Sequence, residues 1–276
     1  MKAAHFDYAR PALIAEAVTL LQDSAGLGKI LGGGQSLGPM MNLRLVQPEL
    51  LVDIRAIAAL KDCTVGTDVV TLGAAITHAA IEDGQIPDPT HGMLAYVASN
   101  IAYRAIRNRG TLGGSLAHAD PAADWVNLMA LLDAQYLLHG PSGMRTVDNA
   151  HWMDGAFTTA LAEDDILTAV QIPVLSMEVR WSYYKFNRKT GEFAEAIAAF
   201  IDDPKRGVRR GLIGATDGTP HVIADASPLI DGWDQAFADA QLQAAGLVPA
   251  TYEYQIHAVA LRRAALRLTV KNGDSE

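Results

Sequence analysis

The apolar positions along the chain change period several times, and each change marks a new kind of segment. Near the start, Leu13, Ala17, Leu20 and Leu21 recur at helical spacing and predict a short helix after the FDYARP turn. Ile30 and Leu31, in the run KIL at 29–31, predict a buried strand. A glycine-rich stretch follows, then a predicted helix from Leu37 to Leu45 and a strand LLVDI at 50–54, beyond Pro48. From Leu60 the period shortens: DCTVGTDVVTLGAAI predicts a hairpin turning at Gly66 and Asp68.

Helical spacing returns at Thr77 to Glu82, Gly92 to Ile101 and Ala122 to Leu132, and strands are predicted at AQYLLHG and DILTAVQIP, ending at Pro173. Beyond it, Val179, Trp181, Tyr183 and Lys185 alternate with Arg180, Ser182, Tyr184 and Phe186, the pattern of a strand half buried on both faces. AIAAFID and VRRGLIGAT read as two more strands. In the helix-rich end, Tyr254, Ala258, Leu261, Ala265 and Leu268 form one apolar stripe. The pattern changes near Leu60 and after Pro173 and is compatible with an α+β protein with an N-terminal domain over 1–176, in subdomains of about 1–58 and 59–176, and a C-terminal α+β domain over 177–276.

Composition narrows the function. A chain of 276 residues that is 50% hydrophobic and 19% charged buries a large core and is not disordered. A net charge of -9 opposes phosphate backbones and anionic membranes, so nucleic acid is not an expected partner. The opening MKAAHFDYARPALIAEA lacks the apolar core of a signal peptide, and no apolar run reaches the roughly 18 residues of a membrane span, so no membrane insertion and a cytoplasmic location are expected. Cys63 is the only cysteine, which excludes an intrachain disulfide and an iron-sulfur cluster held by this chain alone, and predicts a buried spectator thiol. The histidines show no metal-ligand spacing, and no metal site is expected.

The candidate chemistry lies in two glycine loops. In LGGGQSLG, Gly32, Gly33 and Gly34 follow a strand and precede a helix start, so their N–H groups are expected to face outward and cradle a phosphate, with Gln35 and Ser36 adding side-chain donors. RNRGTLGGSLAHADPAAD repeats the device, with Thr111, Leu112, Gly113, Gly114 and Ser115 ahead of another helix. Either loop alone reads more readily as a tight turn; together, with matching hydroxyls, they suit the pyrophosphate of a dinucleotide. GLGKIL at 26–31 satisfies neither the dinucleotide fingerprint nor the P-loop. Asp124, on the first turn of a helix opened by Pro121, is placed to accept from a ribose hydroxyl or a flavin N–H. Arg104, Arg107 and Arg109 are expected to serve a helix C-terminus before an anion or a partner. Trp125, Trp152, Trp181 and Trp233 are expected in core or interface, and His118 as a hydrogen-bonded spectator.

At these loops the sequence resembles the medium, FAD-binding subunits of the carbon monoxide dehydrogenase and xanthine dehydrogenase superfamily of molybdenum hydroxylases. GGGQSL is similar to a first loop that is commonly AGGQSL, and TLGGSLAHADPAAD to a second that is commonly TIGGNLAHADPAAD. The resemblance continues through FDYARP, LRL before Pro48, TLGAAITHAAI, FTTALAEDDILTAVQIP, YYKFNRKTGEFA and the Tyr254 helix, and so spans nearly the whole chain. It implies an FAD-binding fold of the PCMH and vanillyl-alcohol-oxidase type, with a C-terminal domain of the CO dehydrogenase flavoprotein type. It also implies that Gly32 to Ser36 and Thr111 to Ser115 hold the FAD pyrophosphate, that Asp124 lies near the adenosine or the flavin polar edge, and that Lys185 approaches the isoalloxazine. Gly32 replaces a usual Ala, Ser115 a usual Asn, and Phe193 stands where some relatives have Tyr, so no hydroxyl role carries over there.

The implied activity is electron transfer. The chain would take electrons from a [2Fe-2S] subunit and pass them to O2, NAD+, a quinone or a carrier protein. Substrate would be oxidised at a molybdopterin site on a large subunit, in a dimer of heterotrimers, (αβγ)2. No residue of this chain is expected to be a catalytic acid or base. A self-sufficient FAD oxidase and a non-catalytic assembly subunit are the alternatives.

Overall fold

The computed structural model describes residues 2–269 and is built on three main sheets. The first is parallel, with strand order β1 (Asp7–Ala9), β3 (Leu50–Asp53), β2 (Gly28–Leu31). Helix α1 (Ile14–Asp23) packs on it through Ala17, Val18 and Leu21, and the Glu16 carboxylate accepts from the N–H groups of Ala12 and Leu13 at its start. Parallel pairing requires each strand to be joined by a crossover. The second crossover, α2 (Leu37–Asn42), is shorter than its apolar pattern predicts, because Leu43 caps it and Arg44 turns left-handed at φ +59°.

The second sheet is wholly antiparallel: β4 (Cys63–Val65), β5 (Val69–Gly73), β10 (Ile166–Pro173), β6 (Gln135–Gly140) and β7 (Gly143–Asp148). Between its strands the chain inserts α3 (His78–Glu82), α4 (Met93–Ser99), α5 (Arg104–Arg107), α6 (Leu112–His118) and α7 (Asp124–Leu132). Every residue of α7 is buried, which is possible because its apolar positions run all round the helix. It begins at Asp124, with Ala123 as N-cap, so Pro121 lies in the preceding turn and does not open it. A ribbon of β8 (Met153–Gly155) and β9 (Thr158–Thr159) follows.

The third sheet, order β11 (Arg180–Phe186), β12 (Ala196–Asp203), β13 (Val208–Gly214), β14 (His221–Ile223), is antiparallel. Helices α8 (Ser227–Ile230), α9 (Gln235–Ala244) and α10 (Tyr252–Thr269) follow it. Strand β12 shows how the pieces join. Ala196, Ala198 and Phe200 pack into the core beneath the C-terminal helices, while Ile197, Ala199 and Ile201 pack into the core around α7 and the second sheet. Strand alternation therefore sends one strand's side chains into two cores. None of the described helices is long and apolar enough to cross a membrane.

Candidate functional site

Folding brings the two loops into contact. A Cβ on Gly33 would lie 2.2 Å from the Arg109 carbonyl oxygen and 2.6 Å from Gly110 Cα, so only glycine lets the backbones approach this closely. A Cβ on Gly32 would stand 3.1 Å from Thr111 Oγ1. Of the three consecutive glycines only Gly34, at φ +73°, needs the left-handed region. The main-chain N–H groups from Gly32 to Ser36 meet no acceptor among the described residues. Buried or half-buried donors in such a run are costly unless a ligand or water accepts from them. Gln35 spends one of its two Nε2–H donors on the Gly33 carbonyl at 3.1 Å.

The second segment is built differently from the first, which the glycine pattern does not reveal. Thr111 is the N-cap of α6, and Leu112 to Ser115 form its first turn. Its donors are spent: Leu112 N–H on the Ile76 carbonyl (2.9 Å), Gly113 N–H on that of Ala74 (2.8 Å), Gly114 N–H on Thr111 Oγ1 (3.1 Å) and Ser115 N–H on the Thr111 carbonyl (3.1 Å). Gly113 is glycine because a Cβ would sit 2.4 Å from Ala74 Cβ. Gly114 is exposed and meets only Thr111 Oγ1, at 2.8 Å from its would-be Cβ. Thr111, Leu112 and Gly113 are buried, so the second segment exposes only Gly114 and part of Ser115 beside a first loop that carries unpaired main-chain donors.

Asp124 and Lys185 do not stand free. Lys185 Nζ lies 2.7 Å from Asp124 Oδ2, and Tyr183 donates its hydroxyl to Asp124 Oδ1 at 2.9 Å. Lys185 also donates to the Asn100 carbonyl at 3.2 Å. Burial pushes the Asp124 carboxyl up, against the pull of Lys185 and Tyr183. Burial and the Asp124 charge hold the Tyr183 phenol well above its ordinary value. This cluster ties the first residue of α7 to β11 across the seam between the second and third sheets.

Arg104 and Arg107 lie in the last turn of α5, the helix-terminal position expected of them, and are also held in ion pairs. Arg104 pairs with Glu82 and Asp83, and Arg107 with Glu82, so α5 is clamped to the end of α3. Arg107 also donates to the Ile101 and Ala102 carbonyls. Arg109 is exposed and has no ion-pair partner among the described residues. Trp125 and Trp152 are buried in the core. Trp181 and Trp233 are half-buried, with indole N–H groups on the His91 carbonyl and on Gln235. His118 packs its ring against Phe157 and makes no hydrogen bond among the described residues. Phe193 is exposed. Cys63 lies half-buried on edge strand β4, where burial and Asp62 push its thiol up.

Sequence reading passed over His78. It is 5% exposed and its Nδ1 accepts from the Trp125 indole N–H at 3.0 Å. It also passed over Tyr183 as a site residue, and nothing in the strand alternation distinguishes Tyr183 from its neighbours. A cavity of about 700 Å³ lies between the loop at 215–222 and the α9–α10 turn, and includes no residue of either glycine segment. The site described here is an open junction and not that cavity.

A family profile described as the FAD binding domain in molybdopterin dehydrogenase matches residues 4–175. The carbon monoxide dehydrogenase medium chain of Afipia carboxidovorans is 37% identical over 277 residues, covering 95% of this chain and 96% of the relative. The nicotine 6-hydroxylase medium subunit of Paenarthrobacter nicotinovorans is 33% identical over 270 residues, covering 96% and 94%. Among solved structures, a carbon monoxide dehydrogenase from Hydrogenophaga pseudoflava superposes with a TM-score of 0.86 at 30% identity, over 97% of this chain and 99% of that one.

Proposed function

The chain belongs to the FAD-binding medium subunits of the molybdenum hydroxylases, and from that premise we propose how its own residues serve the cofactor. The observation that carries the reading is the run of unpaired N–H groups from Gly32 to Ser36, locked against the second segment by the Gly33–Gly110 approach. These donors bind the FAD pyrophosphate, whose oxygens satisfy main-chain groups that otherwise have no acceptor. The Ser36 and Ser115 hydroxyls add donors from either side, and exposed Gly114, held in place by the buried Thr111, Leu112 and Gly113, lets the phosphates approach without a side chain between. Asp124 and Lys185 act as a pair beside the flavin's polar edge, already oriented by Tyr183. FAD supplies the one- and two-electron redox chemistry; the protein supplies binding and orientation.

In the complex this subunit takes electrons from a small [2Fe-2S] subunit, and a large molybdopterin subunit oxidises the substrate. The assembly is (αβγ)2 in the cytoplasm, and an external acceptor receives the electrons. The test is recovery of flavin. The purified chain should carry one FAD released intact by acid. Stoichiometric FMN, flavin left on the denatured chain, or a colourless protein that takes up no FAD would overturn the reading.

A further inference from the structure

His78 lies outside both glycine segments, yet it touches the point where they meet. It follows Thr77, which caps α3 and pairs with Thr111 in an isolated β-bridge. The His78 N–H donates to the Gly110 carbonyl at 2.9 Å. Its ring lies against the other side of the same residue: a Cβ on Gly110 would stand 2.7 Å from His78 Cδ2 and Nε2. Gly110 Cα is in turn the atom that a Cβ on Gly33 would strike at 2.6 Å. The order of contact is therefore Trp125, His78, Gly110, Gly33, running from the fully buried first turn of α7 to the loop with the unpaired donors.

The ring is not free to turn. Trp125 is fully buried and spends its N–H on His78 Nδ1, so that nitrogen carries a lone pair and the proton sits on Nε2. Burial, with the Arg107 charge adding to it, pushes the imidazole down to about 4, so it is neutral near pH 7. A neutral, single-tautomer ring pinned at Nδ1 and set with its opposite, Cδ2–Nε2 edge against a glycine is a stop: it fixes how far Gly110 can retreat. If Gly110 retreats, the Gly33 peptide loses its backing, and the unpaired N–H groups from Gly32 to Ser36 lose the support that fixes their positions.

We propose that His78 is a positioning residue for the cofactor, holding Gly110 so that the Gly33 loop presents its donors in one orientation. The inference rests on the FAD reading above, but it fails separately from it. The bland role for His78 is merely to accept from Trp125, and two substitutions separate the two. His78→Asn keeps an acceptor near Nδ1 and removes the ring beside Gly110; His78→Ala removes both.

Full-length chains are stripped of flavin, and FAD and ADP affinities are measured by titration alongside thermal melting. The expected result is that His78→Asn melts close to wild type and still binds both FAD and ADP about tenfold more weakly, while the absorption spectrum of its bound flavin is unchanged. Gly110→Ala should weaken FAD in the wild-type background and do so less in His78→Asn, because the ring that its Cβ meets is gone. Full FAD and ADP affinity in His78→Asn would reduce His78 to the Trp125 acceptor and overturn the proposal. Strictly additive effects of Gly110→Ala and His78→Asn would overturn it as well. A wild-type chain that binds no FAD would instead sink the cofactor reading itself.

Discussion

At Gly33 the space available for a methyl group is already filled by backbone. A Cβ there meets the Arg109 carbonyl oxygen at 2.2 Å, and neither peptide can rotate away without parting the loops. Gly33→Ala should therefore cut FAD affinity about a hundredfold, equivalent to ~3 kcal/mol of strain and lost contacts, with little change in the rest of the fold. Gly114→Ala is the contrast. Gly114 is helical, and its Cβ would press only on the Thr111 hydroxyl that caps α6, so the expected cost is about 1 kcal/mol of helix stability. Equilibrium titration of FAD into both variants decides the matter; if Gly114→Ala loses more affinity than Gly33→Ala, the donors have been assigned to the wrong segment. His78 gives a second prediction. Its pKa falls from 6.5 unfolded to about 4 folded, so its contribution is whole above pH 6.5 and is lost as pH drops towards 4. Urea unfolding at pH 7 and pH 5 should show a loss of order 1 to 2 kcal/mol that is smaller in His78→Asn. An unaltered pH dependence in that variant would rule out His78 as its source.

Between elements, the Asp124, Tyr183 and Lys185 cluster joins α7 to β11 with polar groups where the surrounding seam is apolar. Lys185 is 9% and Asp124 5% exposed at the side chain, so removing one partner strands the other in a medium that solvates it poorly. Lys185→Met should cost about 3 kcal/mol or more in unfolding free energy. Asp124→Asn added to Lys185→Met should recover much of it, since no buried charge then remains. Chemical denaturation of the two single variants and the double variant reads this directly, and purely additive losses would mean that the two charges do not depend on each other. The clamp of α5 on α3 by Arg104, Arg107, Glu82 and Asp83 is more exposed and more easily screened by salt.

For the whole molecule, inventory sets the limits of what the chain does alone. One cysteine cannot hold an iron-sulfur cluster. Flavin on the isolated chain should bleach with dithionite and stay oxidised with purines, N-heterocycles, aldehydes or CO. Adding the iron-sulfur and molybdenum subunits should make substrate bleaching rapid. Anaerobic spectra of the lone chain and of the complex test it, and substrate bleaching of the lone chain at a catalytic rate would favour a self-sufficient oxidase.

The sequence by itself determined what depends on neighbours along the chain. Periodicity located most of the strands and the longer helices, since burial of one face is written in residues two or three to four apart. The α10 stripe is of this kind, β12 is legible instead as a continuous apolar run buried on both faces, and the presence of glycine with hydroxyl residues at 32–36 and 111–115 is plain in the sequence as well. Arg104 to Arg107 and Leu112 to His118 escaped as helices because both are short and carry no apolar period. Only the tertiary structure decided which donors remain unpaired. The Leu112 and Gly113 N–H groups are spent on the Ile76 and Ala74 carbonyls, and no feature of either stretch announces the partnership. The same holds for Asp124 with Lys185 and for His78 with Trp125. A residue's type fixes what it can donate or accept, but whether that capacity is already used is settled by what the fold places beside it.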